Sequence, residues 1–336
     1  MRFDDDGPED VDANDDVVFE ARTDDGRRLT NMLSSICLSS RQKDASSTLA
    51  WVEVTDNCMS FTVGVAKSLQ AVAYVKREGI FLKWWLAQHH RGDRPAERLE
   101  FGINLVTLLE CLRIFGGTSV GSNDIRGHFD SKAQLHINFR ASTACLNLCL
   151  VEGHSVTECE LHTLDIEPPH RVQLSLGEAD RFPARIVVAA DVLKSAIDEL
   201  EWGGDSNRDK RVSMRVGMRP GTLSLTVSST DVGCEMVFPT EALVAFEATR
   251  DLAIDYRFMH LHMALRALKD AYQVQLQLDE AGTLEIKMRF TSAVPKSAEL
   301  FSHFFLYPLL DEDDFVDADG APGSLTQASS LHFDDD

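Results

Sequence analysis

Apolar residues recur at helical spacing in four short segments of the chain. In residues 103–117, leucines at positions i, i+3, i+4 and i+7 line one face of a helix of about three turns. The same spacing occurs in three further segments. The four apolar stripes consist of Leu29, Met32, Leu33 and Ile36; Leu105, Leu108, Leu109 and Leu112; Leu193, Ala196, Ile197 and Leu200; and Leu261, Ala264, Leu265 and Leu268. Each stripe predicts a helix that covers a core with one face.

Most of the chain between these helices has the period-two alternation of half-buried strands. Strand-like stretches at 17–21, 98–103, 184–190 and 252–258 each precede a helix, and several further strands follow each helix. This order occurs twice, which indicates an internal duplication. The pattern predicts an α+β protein of two similar domains, each with two helices packed on antiparallel sheets. Two unrelated α+β domains remain an alternative, because amphipathic helices are common.

The predicted organisation consists of two folded domains, a connector and two acidic tails. The domains cover residues 17–165 and 184–310, and the proline-containing connector covers 166–183. The tails, 1–16 and 311–336, are rich in Asp and poor in apolar residues, which is typical of disorder. They have net charges of −7 and −9, which leaves −5 of the total −21 for the remainder. The total charge therefore does not exclude a DNA-facing surface.

The rest of the composition excludes several classes of protein. No apolar run approaches the ~18 residues of a membrane-spanning helix, and the acidic N-terminal segment is unlike a signal peptide. The seven cysteines form no CxxC pair, which argues against a disulfide framework and a zinc ribbon. We therefore expect a soluble protein of the cytosol or nucleus. No pattern combines a nucleophile with a base, or carboxylates with a metal, so we predict no catalysis, metal or cofactor.

Four segments carry a resemblance to a known family. FEARTDDGRRLTNMLSSI (19–36) resembles the first strand, turn and helix of eukaryotic DNA sliding clamps, and LDIE (164–167) resembles the start of their interdomain connector. AKSLQAVAYVKREGIF (66–81) and INLVTLLECLRIFG (103–116) are similar to the Rad-one subunit of the checkpoint clamp, one of three different subunits in the nine-one-one ring. The resemblance covers about residues 17–310. It implies the DNA-clamp fold, with this chain forming one third of a ring.

The resemblance also implies a function and a set of partners. The expected protein is a non-catalytic ring subunit in the nucleus that encircles DNA at damage sites and supports checkpoint signalling and repair. Its implied partners are Rad-nine and Hus-one type subunits, double-stranded DNA in the central channel, a clamp loader ATPase and repair enzymes in the connector groove. Two alternatives remain: a 3′→5′ exonuclease, an activity sometimes attributed to this family, and a homotrimeric replication clamp.

In such clamps the helices line the channel, so their basic residues are the predicted DNA contacts. Helical projection places Arg27 and Arg266 opposite the apolar stripes and the other bases at the flanks. The predicted channel residues are Arg27, Arg28, Arg113, Lys194, Arg266 and Lys269. The acids Glu110, Asp198 and Glu199 also lie on outward faces, so this surface is predicted to be only weakly positive.

Clamp subunits join through edge strands, and alignment with the family implies two such edges. They are VTECELHTL (156–164) and GCEMVF (233–238), which would pair with neighbouring subunits through main-chain hydrogen bonds. The predicted interface residues are Val156, Glu158, Leu161, Thr163, Cys234, Met236 and Phe238. We expect proline at Leu161 or Met236 to block assembly and leave the fold largely intact. Ordinary edge strands protected by charge are the alternative.

Overall fold

The computed structural model of the protein describes most of the two predicted domains. The described residues are 16–38, 48–65, 68–87, 89–91, 94–96, 98–116, 134–152, 154–177, 181–200, 210–228, 233–290 and 300–309. Apart from Asp16, both predicted acidic tails lie outside these ranges. Among the described helices, none has the length and apolar character required to cross a membrane.

The described residues form twenty strands and four α-helices, with an order that repeats between the two halves. In chain order the elements are β1 (Val17–Thr23), α1 (Gly26–Ser35), β2 (Leu49–Thr55), β3 (Cys58–Val65), β4 (Leu69–Lys76), β5 (Lys83–Leu86), β6 (His89–Arg91), β7 (Arg94–Ala96), β8 (Arg98–Asn104), α2 (Leu105–Gly116), β9 (Gln134–Arg140), β10 (Cys145–Glu152), β11 (Ser155–His162), β12 (Ala184–Ala189), α3 (Ala190–Leu200), β13 (Arg211–Gly217), β14 (Thr222–Ser228), β15 (Gly233–Pro239), β16 (Ala245–Ala248), β17 (Leu252–Arg257), α4 (Phe258–Leu265), β18 (Ala271–Leu278), β19 (Leu284–Phe290) and β20 (Leu300–Leu306).

Three antiparallel sheets carry the architecture, beside a small hairpin of β6 and β7. The first sheet has five strands in the order β11-β10-β9-β1-β5, and the second has four in the order β15-β14-β13-β17. The third has nine strands in the order β16-β12-β18-β19-β20-β4-β3-β2-β8. The predicted α+β class and the duplicated order of elements both agree with this topology. The predicted domain boundaries stay predictions, because one hydrophobic core runs through both halves.

The nine-stranded sheet joins the two halves of the chain by main-chain hydrogen bonds. Its central junction is the antiparallel pair of β20, from the end of the second half, and β4, from the first. On one side of this junction lie five strands, and on the other side lie four. The halves are therefore connected by a continuous sheet as well as by the connector.

The short helices form because one face of each is apolar, and the first turns of α1 and α2 are also capped by side chains. The Asp25 carboxylate accepts a hydrogen bond from the Arg28 N–H at 3.2 Å at the start of α1, and Asn104 Oδ1 accepts from the Thr107 N–H at 3.1 Å at the start of α2. Such a cap contributes about 0.5–2 kcal/mol. Leu33 and Leu105 are fully buried, and burial of each such side chain contributes about 1.5–3 kcal/mol.

The fourth helix differs from its prediction. The apolar stripe from Leu261 to Leu268 predicted one α-helix, but α4 ends at Leu265 and a 3-10 segment, Arg266–Asp270, follows. Leu268 is nevertheless buried at 3% exposure. The tighter turn changes the direction in which Arg266 and Lys269 project, because a 3-10 helix has three residues per turn instead of 3.6.

The connector lies against the nine-stranded sheet and is attached at several points. Leu164 exchanges two main-chain hydrogen bonds with Gly102 of β8, at 2.8 and 3.2 Å. The Gln70 side-chain amide donates to the His170 carbonyl oxygen at 3.0 Å, and Arg171 forms an ion pair with Glu53. These contacts bind the first half of the connector to β2, β4 and β8 of the same sheet.

Replacement of Gly102 by alanine is predicted to loosen the connector. The added Cβ would lie 2.5 Å from Ile166 Cγ1 and 2.7 Å from the Leu164 carbonyl oxygen, so the connector must move. We expect a loss of about 1–3 kcal/mol in the free energy of unfolding, measured by urea denaturation, and faster proteolysis of the connector. Gly64→Ala is the control, because its Cβ would meet nothing closer than 3.5 Å. Equal urea midpoints for the two variants would contradict this account.

Candidate DNA-facing helices and subunit edges

The helices of both halves form one layer on a single side of the sheets. α1 contacts α2 and also the 3-10 segment that follows α4, and this segment in turn contacts α3. The apolar stripes of these helices are buried against the sheets. The opposite helix faces are therefore the surface on which the predicted channel residues must lie.

Five of the six predicted channel residues are exposed on this layer. Two of the five belong to the 3-10 segment, where Lys269 Nζ lies 3.9 Å from the Asp270 carboxylate. The exposed bases are Arg27, Arg113, Lys194, Arg266 and Lys269. They come from all four helical regions, so the fold gathers bases that are far apart in the sequence.

Arg28, the sixth predicted residue, is only half exposed. Its Nη1 donates to the Gly79 carbonyl oxygen in the turn between β4 and β5, at 3.3 Å. Burial lowers the pKa of the Arg28 guanidinium, an effect that the Asp25 carboxylate partly opposes. Arg28 thus contributes to the packing of α1 against that turn.

Acidic residues on the same layer offset its positive charge. α1 carries only bases, whereas α3 carries three acids beside Lys194. The exposed acids of the helical regions are Glu110, Asp191, Asp198, Glu199 and Asp270. Exposed acids and bases are equal in number on these segments, so the layer attracts a polyanion only weakly.

β11 is one of the two edge strands of the five-stranded sheet, the other being β5. One hydrogen bond determines which main-chain groups of β11 face outward. In an antiparallel pair, residues alternate between pairs that exchange both hydrogen bonds and pairs that exchange none. The Thr163 N–H donates to the Ala144 carbonyl oxygen at 3.0 Å, and the register then places Leu161 in a bonded pair with Leu146. The residues whose main-chain groups point to the open edge are Val156, Glu158, Glu160 and His162.

β15 is the corresponding open edge of the four-stranded sheet. The Phe258 N–H donates to the Lys210 carbonyl oxygen at 2.9 Å, which continues the pairing of β17 with β13. Alternation across β13 and β14 then places Met236 in a bonded pair with Leu225. The residues that direct main-chain groups to this open edge are Gly233, Glu235 and Val237.

The predicted interface residues divide between the two faces of these edges. Val156 and Glu158 are exposed on the face away from the helices. The others turn toward the helix layer or belong to the internal ladder: Leu161, Thr163, Cys234, Met236 and Phe238. Among them, Leu161 and Phe238 are 5% and 4% exposed and pack inside their own subunit.

The expected effect of proline at Leu161 and Met236 stays a prediction, but the register of both strands argues against an intact fold. The N–H groups of Leu161 and Met236 bond to the neighbouring strand of the same sheet, so proline there removes an internal hydrogen bond. Sequence reasoning missed the residues that do face the open edges, Glu160, Glu235 and Val237. The alternation of apolar and polar residues in β11 and β15 indicated which side chains face the core, whereas the direction of each N–H depends on the ladder and has no signal in the sequence.

The connector forms two adjoining cavities on the sheet face opposite the helices. The cavities have volumes of about 450 and 430 Å³ and share Trp51, Gln70 and His170 in their walls. The larger also includes Tyr74, whose pKa is raised by burial. In the described ranges, no group of three or more His, Cys, Asp or Glu side chains could hold a metal ion.

A family model described as "Repair protein Rad1/Rec1/Rad17" matches residues 18–289. The chain belongs to the Rad1/Rec1/Rad17 family. Curated relatives include the DNA repair protein Rad1 of Drosophila melanogaster, 23% identical over 307 residues, which cover 89% of this chain and 96% of the relative. The Schizosaccharomyces pombe DNA damage checkpoint control protein rad1 is 24% identical, with 70% and 73% coverage. The human cell cycle checkpoint protein RAD1 is 23% identical, with 82% and 87% coverage.

Solved structures of proliferating cell nuclear antigen (PCNA) share the fold of this Rad1-family chain. The PCNA of Entamoeba histolytica aligns with a TM-score of 0.65 at 12% identity and covers 88% of this chain and 100% of its own. The Thermococcus kodakaraensis PCNA aligns at 0.61 and 17% identity, with 87% and 100% coverage. The predicted family and the predicted clamp fold are therefore both confirmed.

Along each edge strand, N–H groups alternate between the internal ladder and the open edge. Proline substitutions in the isolated Rad1-family chain distinguish these two sets of residues. We expect Leu161→Pro and Met236→Pro to lower the free energy of unfolding by about 3 kcal/mol, because each removes an internal ladder bond. Glu160→Pro and Val237→Pro are the matched controls, whose N–H groups face solvent at an edge, where proline is tolerated. Urea denaturation of the four variants measures the difference. Equal destabilisation by both members of a pair would show that the assigned phase is incorrect.

Proposed function

We propose that this chain is a non-catalytic subunit of a heterotrimeric, PCNA-like checkpoint clamp that encircles double-stranded DNA at damage sites. The nine-stranded sheet carries the proposal. Its five strands β16-β12-β18-β19-β20 have the same order of elements as β5-β1-β9-β10-β11, and its four strands β4-β3-β2-β8 match β15-β14-β13-β17. The five-stranded and four-stranded sheets are thus the two parts of a nine-stranded sheet that are left unjoined within one chain.

This correspondence indicates how neighbouring subunits meet. β20 and β4 join inside the chain, and their counterparts, β11 and β15, are both open edges. Pairing β11 with the β15 counterpart of a neighbour completes a second nine-stranded sheet. Such pairing satisfies the exposed N–H and C=O groups and covers edges that otherwise favour aggregation. Repetition of this joint closes a ring with the helix layers on one side of the sheets.

The helix layer suits a surface that faces DNA without binding it tightly. Phosphate contacts from Lys and Arg are independent of base sequence, and each contributes to a salt-dependent affinity. The near balance of exposed acids and bases limits this attraction, and a closed ring retains DNA by topology. Arg27, Arg113, Lys194, Arg266 and Lys269 are the proposed phosphate contacts, and Arg28 is a secondary one.

The family relatives support the biological setting of the proposal. Their names assign them to DNA repair and to the DNA damage and cell cycle checkpoints. For this chain we infer a nuclear location, Rad-nine and Hus-one type subunits as the two ring partners, and a clamp loader ATPase that opens the ring on DNA. The ring then serves as a platform for checkpoint signalling and repair.

The connector cavities are the proposed docking place for repair enzymes. They lie beside residues 166–172, on the sheet face opposite the helix layer, so a bound client would not obstruct the DNA. Their walls combine apolar side chains, such as Trp51 and Val72, with the charged Glu53 and Arg98. A short peptide with an apolar anchor and a polar flank suits this combination.

Assembly with the two partner subunits is predicted to depend on both open edges. Glu160→Pro or Val237→Pro removes an edge-directed N–H and hinders the approach of a neighbouring strand, while the monomer stays folded. Light scattering should show that the wild-type chain is a monomer alone and forms a 1:1:1 complex when the two partner subunits are added. Each variant should stay folded but fail to form this complex. Glu78→Pro, in the turn after β4, is an exposed control. Full assembly of both edge variants would refute this joint, and a stable homotrimer of the wild-type chain would favour a replication clamp.

Charge reversal on the helix layer is predicted to weaken DNA binding by the assembled ring. The triple variant Arg113→Glu, Lys194→Glu, Arg266→Glu should lower affinity for duplex DNA and reduce the slope of log affinity against log salt by about 0.9 for each lost phosphate contact. Fluorescence anisotropy at several salt concentrations measures both quantities. Reversal of Lys83, an exposed base of β5 that pairs with Glu20, is the control. An unchanged salt slope in the triple variant would count against this orientation of the helices.

A further inference from the structure

The junction between β20 and β4 provides a template for the joint between subunits. The Tyr307 N–H donates to the Ser68 carbonyl oxygen at 3.2 Å, which sets the phase of the ladder. The bonded pairs that follow are Phe305 with Gln70, His303 with Val72, and Phe301 with Tyr74. All of these residues lie on the sheet face opposite the helices. The Tyr74 and His303 rings contact each other with centroids 5.0 Å apart.

The register of β11 on this template follows from buried residues in the paired strands. The inward residues Leu135, Ile137 and Phe139 of β9 correspond to Val274, Leu276 and Leu278 of β18. In the first sheet, Phe139 pairs with Leu146, which pairs in turn with Leu161. In the nine-stranded sheet, Leu278 pairs with Leu284, which pairs in turn with Leu306. Leu161 therefore corresponds to Leu306, and Glu158 corresponds to His303.

The register of β15 follows in the same way. The inward residues Met59, Phe61 and Val63 of β3 correspond to Leu223, Leu225 and Val227 of β14. Met59 pairs with Val75 and Leu223 pairs with Phe238, so Val75 corresponds to Phe238. Three residues earlier on each strand, Val72 corresponds to Glu235.

We apply the register of the β20–β4 pair to β11 of one copy of this chain and β15 of a second copy. Two carboxylates then lie directly opposite each other. His303 pairs with Val72 inside the chain, so Glu158 of one copy would pair with Glu235 of the next. Two residues further along the same two strands, Val156 would pair with Val237, as Phe301 pairs with Tyr74 inside the chain. Like charges directly opposite on adjacent strands are destabilising, whereas opposite charges and apolar pairs are favourable.

One base lies near the first of these acids, because Arg140 lines the same cavity as Glu158 and Glu160. Glu158 and Glu235 are both exposed and take part in no ion pair among the described residues. Glu160 adds a further carboxylate on the same face of β11, two residues from Glu158. The valine pair offers an apolar contact to any neighbour with an apolar residue there. The charged pair is therefore the position that discriminates between neighbours.

We propose that Glu158 and Glu235 exclude a second copy of this chain from both edges and select neighbouring strands that carry Lys or Arg at the facing positions. The inference rests on the proposed ring and adds the chemistry of its partners. Each partner strand has a basic residue opposite the acid and an apolar residue opposite the adjacent valine. Heterotypic assembly then follows from one charge at each edge.

A cycle of four chains tests this selection without any partner protein. Glu158→Lys and Glu235→Lys each convert the repelling pair of a homotypic joint into an attracting pair, and the double variant restores repulsion between two lysines. Sedimentation velocity over a concentration series measures self-association of each chain, starting from the 37.4 kDa monomer. Glu78→Lys, which makes the same charge change in an exposed turn, is the control.

We expect both single variants to self-associate about tenfold more tightly per contact than the wild-type chain, and the double variant to return to the wild-type level. Four chains with the same self-association, or a double variant as strong as the singles, would overturn the proposal. Failure of this cycle is distinguishable from failure of the ring. The proline variants at Glu160 and Val237 test the joint with natural partners through main-chain bonds, independently of these charges.

Discussion

Main-chain pairing between β20 and β4 is the interaction on which the architecture of this chain depends. It converts two α+β halves into one nine-stranded sheet and fixes their helices in a common layer. The same geometry leaves β11 and β15 as open edges with unmet hydrogen-bonding groups. The isolated chain can therefore associate with other chains at these edges, because the unpaired N–H and C=O groups of an edge strand can bond to a further strand. The intramolecular junction and the proposed intermolecular ones are versions of a single joint.

Charge has different roles on the helix layer and at the edges of the sheets. On the helix layer, acids and bases nearly cancel, which suits the proposed surface past which DNA moves. At the edges, the exposed carboxylates of Glu158 and Glu235 form no ion pair with a described residue and lie where a neighbouring strand would place its own side chains. A weak, averaged field permits sliding, whereas a single charge at a hydrogen-bonded pair affects which strand can bind. The connector, held by Gly102, Gln70 and Glu53, shapes a third surface on the opposite side, the proposed docking place for repair enzymes.

Much of the fold could be predicted because its elements carry clear periodicities. The stripes in α1, α2 and α3 and the alternation in β9 or β14 each reflect one buried face. The short strands β5 and β16 escaped this reasoning, since four residues are too few to establish a period. The 3-10 turn at Arg266–Asp270 escaped it because its apolar residues have the same spacing as an α-helix. Arg28 was assigned by position alone, and its contact with Gly79 depends on a turn 51 residues away.

The sequence by itself determined the apolar faces, most of the helices and strands, and the family to which the chain belongs. These properties arise from local periodicity and from short recognisable segments. Only the tertiary structure decided which strands lie at sheet edges, which N–H groups they present, and that Glu158 and Glu235 both direct main-chain groups outward. Those properties depend on the phase of hydrogen-bond ladders that join distant segments. A shift of one residue would reverse them without changing the apolar pattern along any single strand.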